Sequence, residues 1–99
     1  VTCALLQETS DLTLKENLEV IPNALSKVQN LSGYTYNFIG NEELRTGLIA
    51  QEVQEVLPMA VGIHEGKLTL AYGNLVGLLV EAIKELKEEV EELKRGTLE

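Results

Sequence analysis

One cysteine, one histidine and four aromatic side chains (three Tyr, one Phe) are all that 99 residues hold of those types, and 8 basic residues face 16 acidic ones. The lone Cys3 can close no internal disulfide and can build no multi-thiolate metal site, so it is read as a small apolar packing residue. With aromatics at 4%, the core is expected to be mostly Leu, Val and Ile. A net charge of −8 argues against a nucleic-acid binder, which needs clustered Lys and Arg, and equally against docking on an anionic membrane. No apolar run approaches the roughly 20 residues of a membrane span, and nothing resembles a signal peptide. The expectation is a chain with no cofactor, no metal, no nucleic acid and no membrane partner, in a reducing cytosol. Its start at Val1 without Met suggests a piece of a longer protein.

Hydrophobic residues make up 44% of the chain, too many for a disordered tail, and the length fits one small domain. A core of that size is thin, and an interface with further copies would help it. Val1 to Thr9 carries only a weak extended pattern. Pro22-Asn23 opens a short helix with Ala24, Leu25, Val28 and Leu31 on one face; Ser32-Gly33 closes it, with Gly33 as C-terminal cap. Tyr34, Tyr36 and Phe38 alternate with Thr35, Asn37 and Ile39 as a strand that Gly40-Asn41 ends. Gly47 to Leu57 reads as a helix, with Ile49, Val53, Val56 and Leu57 in one stripe and Pro58 as its stop. Ala60 to Ile63, the turn His64-Glu65-Gly66-Lys67 and an arm through Leu68, Leu70 and Tyr72 form a hairpin. His64 is a solvated turn residue, because no second ligand is placed to join it. The fold class that follows is α+β: a small mixed domain with a β-hairpin and short helices, ending in a long C-terminal helix.

That last helix starts at a Gly73-Asn74 cap, runs through Lys94 and stops at Gly96. Val76, Ile83 and Val90 fall at heptad a positions, and Leu79, Leu86 and Leu93 at d. Glu89 at g and Lys94 at the following e suit an interchain ion pair in a parallel assembly. Two readings are open. The helix lies on its own domain as an ordinary amphipathic helix, since fewer than three heptads are covered. Alternatively it leaves the globule and meets copies of itself, which the dense Glu and Lys on its outer face favour. The β-branched a residues with Leu at d prefer a two-stranded coil. The chain then divides into a leader at 1–9, a globular part at 10–74 and an oligomerisation helix at 75–95.

The run Ser10-Asp11-Leu12-Thr13-Leu14-Lys15-Glu16-Asn17 holds a hydroxyl and an amine five residues apart. A serine hydroxyl is a weak nucleophile that needs a base, and a lysine is a base only when neutral. Leu14 and Leu18 offer partial burial for Lys15, while Glu16 opposes its neutralisation. On a straight strand, or along a helix, side chains five apart point away from each other. A Ser10/Lys15 pair therefore needs a bend, or the lysine of a neighbouring chain. The plain alternative is Ser10-Asp11 as a cap with Lys15 solvated.

Ser10-Asp11 followed by Leu14-Lys15-Glu16-Asn17 resembles the start of the C-terminal intramolecular chaperone domains of phage tailspikes, tail fibres and neck appendages; related domains occur in myelin regulatory factor proteins. The likeness continues through Tyr34-Thr35-Tyr36, the block Gly47 to Pro58, Leu68 to Tyr72, Leu75 to Leu79 and Glu81 to Glu85. The resemblance implies a domain that trimerises and aligns an upstream β-structured fibre of the same chain in the host cytoplasm. It then cuts itself free as a single-turnover serine peptidase. It implies Ser10 as nucleophile, Lys15 as base and Thr9–Ser10 as the scissile bond, with the Asn17 amide near the oxyanion. It also implies a homotrimeric, coiled-coil-like bundle through Val76, Leu79, Ile83, Leu86, Val90 and Leu93, overriding the two-stranded preference. Where many family members carry a basic residue, this chain has Thr13, which removes one means of neutralising Lys15. Two alternatives stand beside this reading: a trimerising module that does not cut, and an unrelated acidic domain whose last helix binds a partner helix.

Overall fold

Leu75, Leu78 and Ala82 recur at helical spacing, and all three are buried on one side of the long helix α3 (Tyr72–Leu98). At 1.5 Å per residue this helix is about 40 Å long, and the rest of the domain is laid against its first half. The computed structural model describes residues 7–98, less the side chains of 97 and 98. The expected extended run at Val1 and the packing of Cys3 lie outside the described residues.

Before α3 come helix α1 (Ala24–Gln29), strands β1 (Tyr34–Tyr36) and β2 (Arg45–Gly47), helix α2 (Ala50–Val56), and strands β3 (Val61–His64) and β4 (Lys67–Leu70). The strands form two separate antiparallel hairpins, β1–β2 and β3–β4. The molecule is α+β, as expected, but with two hairpins in place of one. The buried core is Ala24, Val53, Leu57, Ala60, Leu75, Leu78 and Ala82, so α1, α2 and the turn after α2 meet on α3. Three of these seven are alanines, and such small side chains let the short elements come close to the long helix.

Several boundaries differ from expectation. α1 ends at Gln29, where the backbone N–H of Asn30 donates to Lys27 and its side-chain amide donates to the Ser26 carbonyl at 3.1 Å. Gly33 is therefore not the cap, and its φ is not positive. At the other end Asn23 stands in the left-handed region at φ 53° without capping the helix through its side chain. The cap comes from α3: the Glu85 carboxylate accepts from the N–H groups of Ala24 and Leu25, both at 2.9 Å. Those two bonds, Leu25 first, hold the Glu85 carboxyl below its ordinary value of 4.5, with Lys27 adding to the effect and burial opposing it.

The expected strand through Ile39 ends at Tyr36, and Gly47, expected to begin a helix, instead ends the partner strand over 45–47, opposite Tyr34. The loop between them turns at Gly40 and Asn41 and packs Phe38 edge-on against Tyr36, with the Arg45 guanidinium 5.3 Å from the Phe38 ring centre. α2 consequently starts at Ala50, and Pro58 opens a short 3-10 turn as well as ending α2.

The second hairpin forms where expected, but its turn is tighter than the expected His64–Lys67 stretch, since His64 and Lys67 pair as the last residue of β3 and the first of β4. Glu65 and Gly66 both have positive φ, 51° and 76°, the backbone that such tight hairpins demand. His64 is exposed at its edge, with Nε2 3.7 Å from Glu65 Oε1. Tyr72 is not part of β4. It begins α3, and its hydroxyl accepts the Leu48 N–H at 3.1 Å. Asn74 lies inside the first turn, with its own N–H donated to Ala71, and Gly96 lies within the helix rather than ending it. Among the described residues no helix is long and apolar enough to cross a membrane.

Candidate functional site

Asp11 and Thr13 make the bend that a Ser10/Lys15 pair requires. The Asp11 carboxylate accepts the Thr13 N–H at 2.9 Å and the Thr13 hydroxyl at 2.8 Å, and it caps a single 3-10 turn over Leu12–Leu14. The backbone closes the turn through Leu14 N–H to Asp11 O and Lys15 N–H to Leu12 O, each 3.1 Å. These contacts keep the Asp11 carboxyl below its ordinary value of 3.8, the Thr13 backbone bond contributing most. Asp11, not Ser10, is the capping residue. Thr13, read from the sequence as the place of a missing cation, is the second lock on this turn.

Lys15 leaves the turn extended, and its Nζ donates to Ser10 Oγ at 2.7 Å within the same chain. Two residues on, Asn17 takes the left-handed conformation, φ 55°, which asparagine tolerates better than most residues. The chain bends there, and Asn17 lines the same groove as Ser10 and Lys15.

That groove is open and holds about 820 Å³. Glu8 and Thr9 of the leader run along it beside Ser10, and Lys27, Met59, Gly73 and Val76 form much of the remaining wall. Glu8, Lys27 and Gly73 carry no site signal in the sequence and join the groove only through the fold. The Asp11–Thr13 pair did have a sequence signal, an Asx residue two positions before a hydroxyl residue. The burial expected for Lys15 is not supplied by its neighbours: Leu14 and Leu18 are 73% and 66% exposed, and Ser10 and Lys15 are themselves exposed.

A second feature begins at the groove wall, at Val76, and runs away from it along α3. Val76, Leu79, Ile83, Leu86, Val90 and Leu93 lie along α3 one residue round from the buried Leu75, Leu78 and Ala82, and all six are between 41% and 73% exposed. The first reading of the helix, an amphipathic helix lying on its own domain, holds for its first half. One stripe packs on its own domain, and the heptad stripe is left open.

Residues 10–62 match the family model named peptidase S74 and described as the chaperone of endosialidase. Among curated proteins, the long tail fiber protein Gp37 of Enterobacteria phage K3 is 42% identical over 95 residues, covering 86% of this chain and 8% of that protein. Its counterpart in Enterobacteria phage T2 is also 42% identical over 95 residues, with 86% and 7% covered. The Gp37 of Salmonella phage S16 is 33% identical over 107 residues, with 96% of this chain and 14% of that protein covered. The chain thus spans a small part of these relatives' length.

Proposed function

Since the chain belongs to the chaperone of endosialidase family, we propose that it is the intramolecular chaperone at the C-terminal end of a phage fibre or spike, and that it removes itself at Thr9–Ser10. Three copies associate through the heptad face of α3 and hold the upstream fibre segments of the same chains together while these fold in the host cytoplasm. The relatives' being long tail fibre proteins supports the fibre setting. The open stripe from Val76 to Leu93 supports the association, because apolar surface of this extent is stabilised when covered.

The cleavage step is an acyl transfer. Ser10 Oγ attacks the Thr9 carbonyl carbon as neutral Lys15 takes the hydroxyl proton. The Thr9–Ser10 C–N bond breaks, the proton passes to the departing Ser10 nitrogen, and Thr9 is left as an ester on Ser10 Oγ. Water then hydrolyses the ester to the Thr9 carboxylate and a free Ser10 hydroxyl. The Asn17 amide steadies the oxyanion formed at each stage. The observation that carries this reading is the 2.7 Å hydrogen bond between Lys15 Nζ and Ser10 Oγ beside the leader in the groove. Lysine becomes neutral when water is removed from around it, so closing the groove against a neighbouring chain or the upstream fibre would switch the reaction on after assembly.

The test is mass spectrometry of this chain and of a longer polypeptide extended upstream. A new N-terminus at Ser10 is expected, abolished by Ser10→Ala and by Lys15→Ala. Cleavage that persists in both variants refutes the mechanism. A trimer that never releases residues 1–9 supports the second reading, a non-cleaving assembly module, which the exposure of Lys15 in the single chain favours.

A further inference from the structure

The leader reaches the first turn of α3 just before the proposed scissile bond. Gly73 is the second residue of that helix, and the space its side chain would occupy is filled by the carboxyl group of Glu8. A Cβ placed on Gly73 would overlap Glu8 Oε1 and lie 3.4 Å from Cδ and 3.6 Å from Oε2. The φ of Gly73 is not positive, so the backbone itself does not call for glycine there, and alanine is the better helix former. What glycine provides at this position is room for the carboxylate. The charge fits as well, because the first turn of a helix presents unpaired N–H groups and the positive end of its dipole.

We propose that Glu8 and Gly73 form a clasp that holds the leader along the groove and so sets the Thr9 carbonyl in front of Ser10. This rests on the cleavage reading above. Both are positioning residues, acting on the reaction through the placement of Thr9. Glu8, Thr9, Ser10, Lys15 and Gly73 line one groove, so a shift of the Glu8 side chain is passed to the adjoining peptide. An error of about 1 Å in such placement costs on the order of 100-fold in rate.

Gly73→Ala separates this role from a structural one. A glycine that mattered only for folding would show itself as a lowered thermal midpoint in the alanine chain, with cleavage by the folded fraction unchanged. The clasp predicts a cleavage rate lowered about tenfold or more, with no fall in the thermal midpoint and no shift in the pH dependence of cleavage. Glu8→Ala, a surface change that leaves the core intact, lowers the rate similarly. In its background Gly73→Ala has no further effect, because both act through one contact. Unchanged rates in both single variants, or losses that multiply in the double variant, overturn the proposal. If the unaltered chain does not cleave at all, the cleavage reading fails separately. The clasp is then decided in the Ser10→Ala chain by nuclear Overhauser effects between the Glu8 γ-protons and the Gly73 α-protons. Their presence supports it; their absence refutes it.

Discussion

Leu78 and Leu79 are neighbours on α3 with opposite environments, and truncating each in turn separates folding from assembly. Leu78 is fully buried, while Leu79 is 47% exposed. Leu78→Ala removes a buried side chain from a seven-residue core, at a cost of about 3–5 kcal/mol from lost transfer energy and the cavity left behind. A domain of this size is stable by only about 5–15 kcal/mol, so the thermal midpoint should fall by roughly 10–25 °C at any protein concentration. Leu79→Ala should cost the single chain under about 1 kcal/mol. Its exposed half is worth about 1 kcal/mol when covered, half of the roughly 1.5–3 kcal/mol for burying a leucine. Summed over the three chains of the proposed trimer, that is about 3 kcal/mol, or roughly a 100-fold weaker association. Sedimentation equilibrium and melting curves over a wide concentration range read the two effects separately. Equal losses of single-chain stability in the two variants, or an unaltered association constant for Leu79→Ala, would refute the division of α3 into an inner and an outer stripe.

The Glu85 cap makes stability depend on acid. Its folded-state carboxyl lies below 4.5, so its contribution is whole above pH 4.5 and is lost as pH falls through the lowered value. Glu85→Gln should flatten that part of the pH–stability curve and lower stability at pH 7; equally steep acid unfolding in both proteins would count against the cap. Asp11→Ala should release the 3-10 turn, separate Lys15 from Ser10 and slow cleavage strongly with little change in melting, because the turn contributes nothing to the core. Unimpaired cleavage in that variant would show that the pair does not depend on the turn. Tyr72→Phe leaves the Leu48 N–H without its partner and should destabilise the chain by about 1 kcal/mol, read by chemical denaturation; a midpoint unmoved by the change would assign that bond no role.

The long helix, the second hairpin and α2 were legible because each follows a local rule: heptad spacing, a Glu-Gly turn between alternating residues, and an apolar stripe before proline. Strand β2 was not, since Arg45-Thr46-Gly47 has neither alternation nor β-branched density and becomes a strand only by pairing with Tyr34–Tyr36. For the same reason α2 starts at Ala50 and not at Gly47, which β2 takes up. The cap of α1 was equally hidden, because Glu85 lies 61 residues from Ala24.

The motif around Ser10, the heptads of α3 and the acidic, cysteine-poor composition belong to the sequence alone, and with them the α+β class and the family resemblance. These are patterns of residue type at short spacing, which a chain carries whether or not it is folded. The pairing of Ser10 with Lys15 belongs to the turn that Asp11 and Thr13 close. The meeting of Glu8 with Gly73, and the choice of which α3 stripe faces inward, belong to the tertiary structure. Those depend on where distant backbone segments come to rest, and that is decided by packing around a small core rather than by any local propensity.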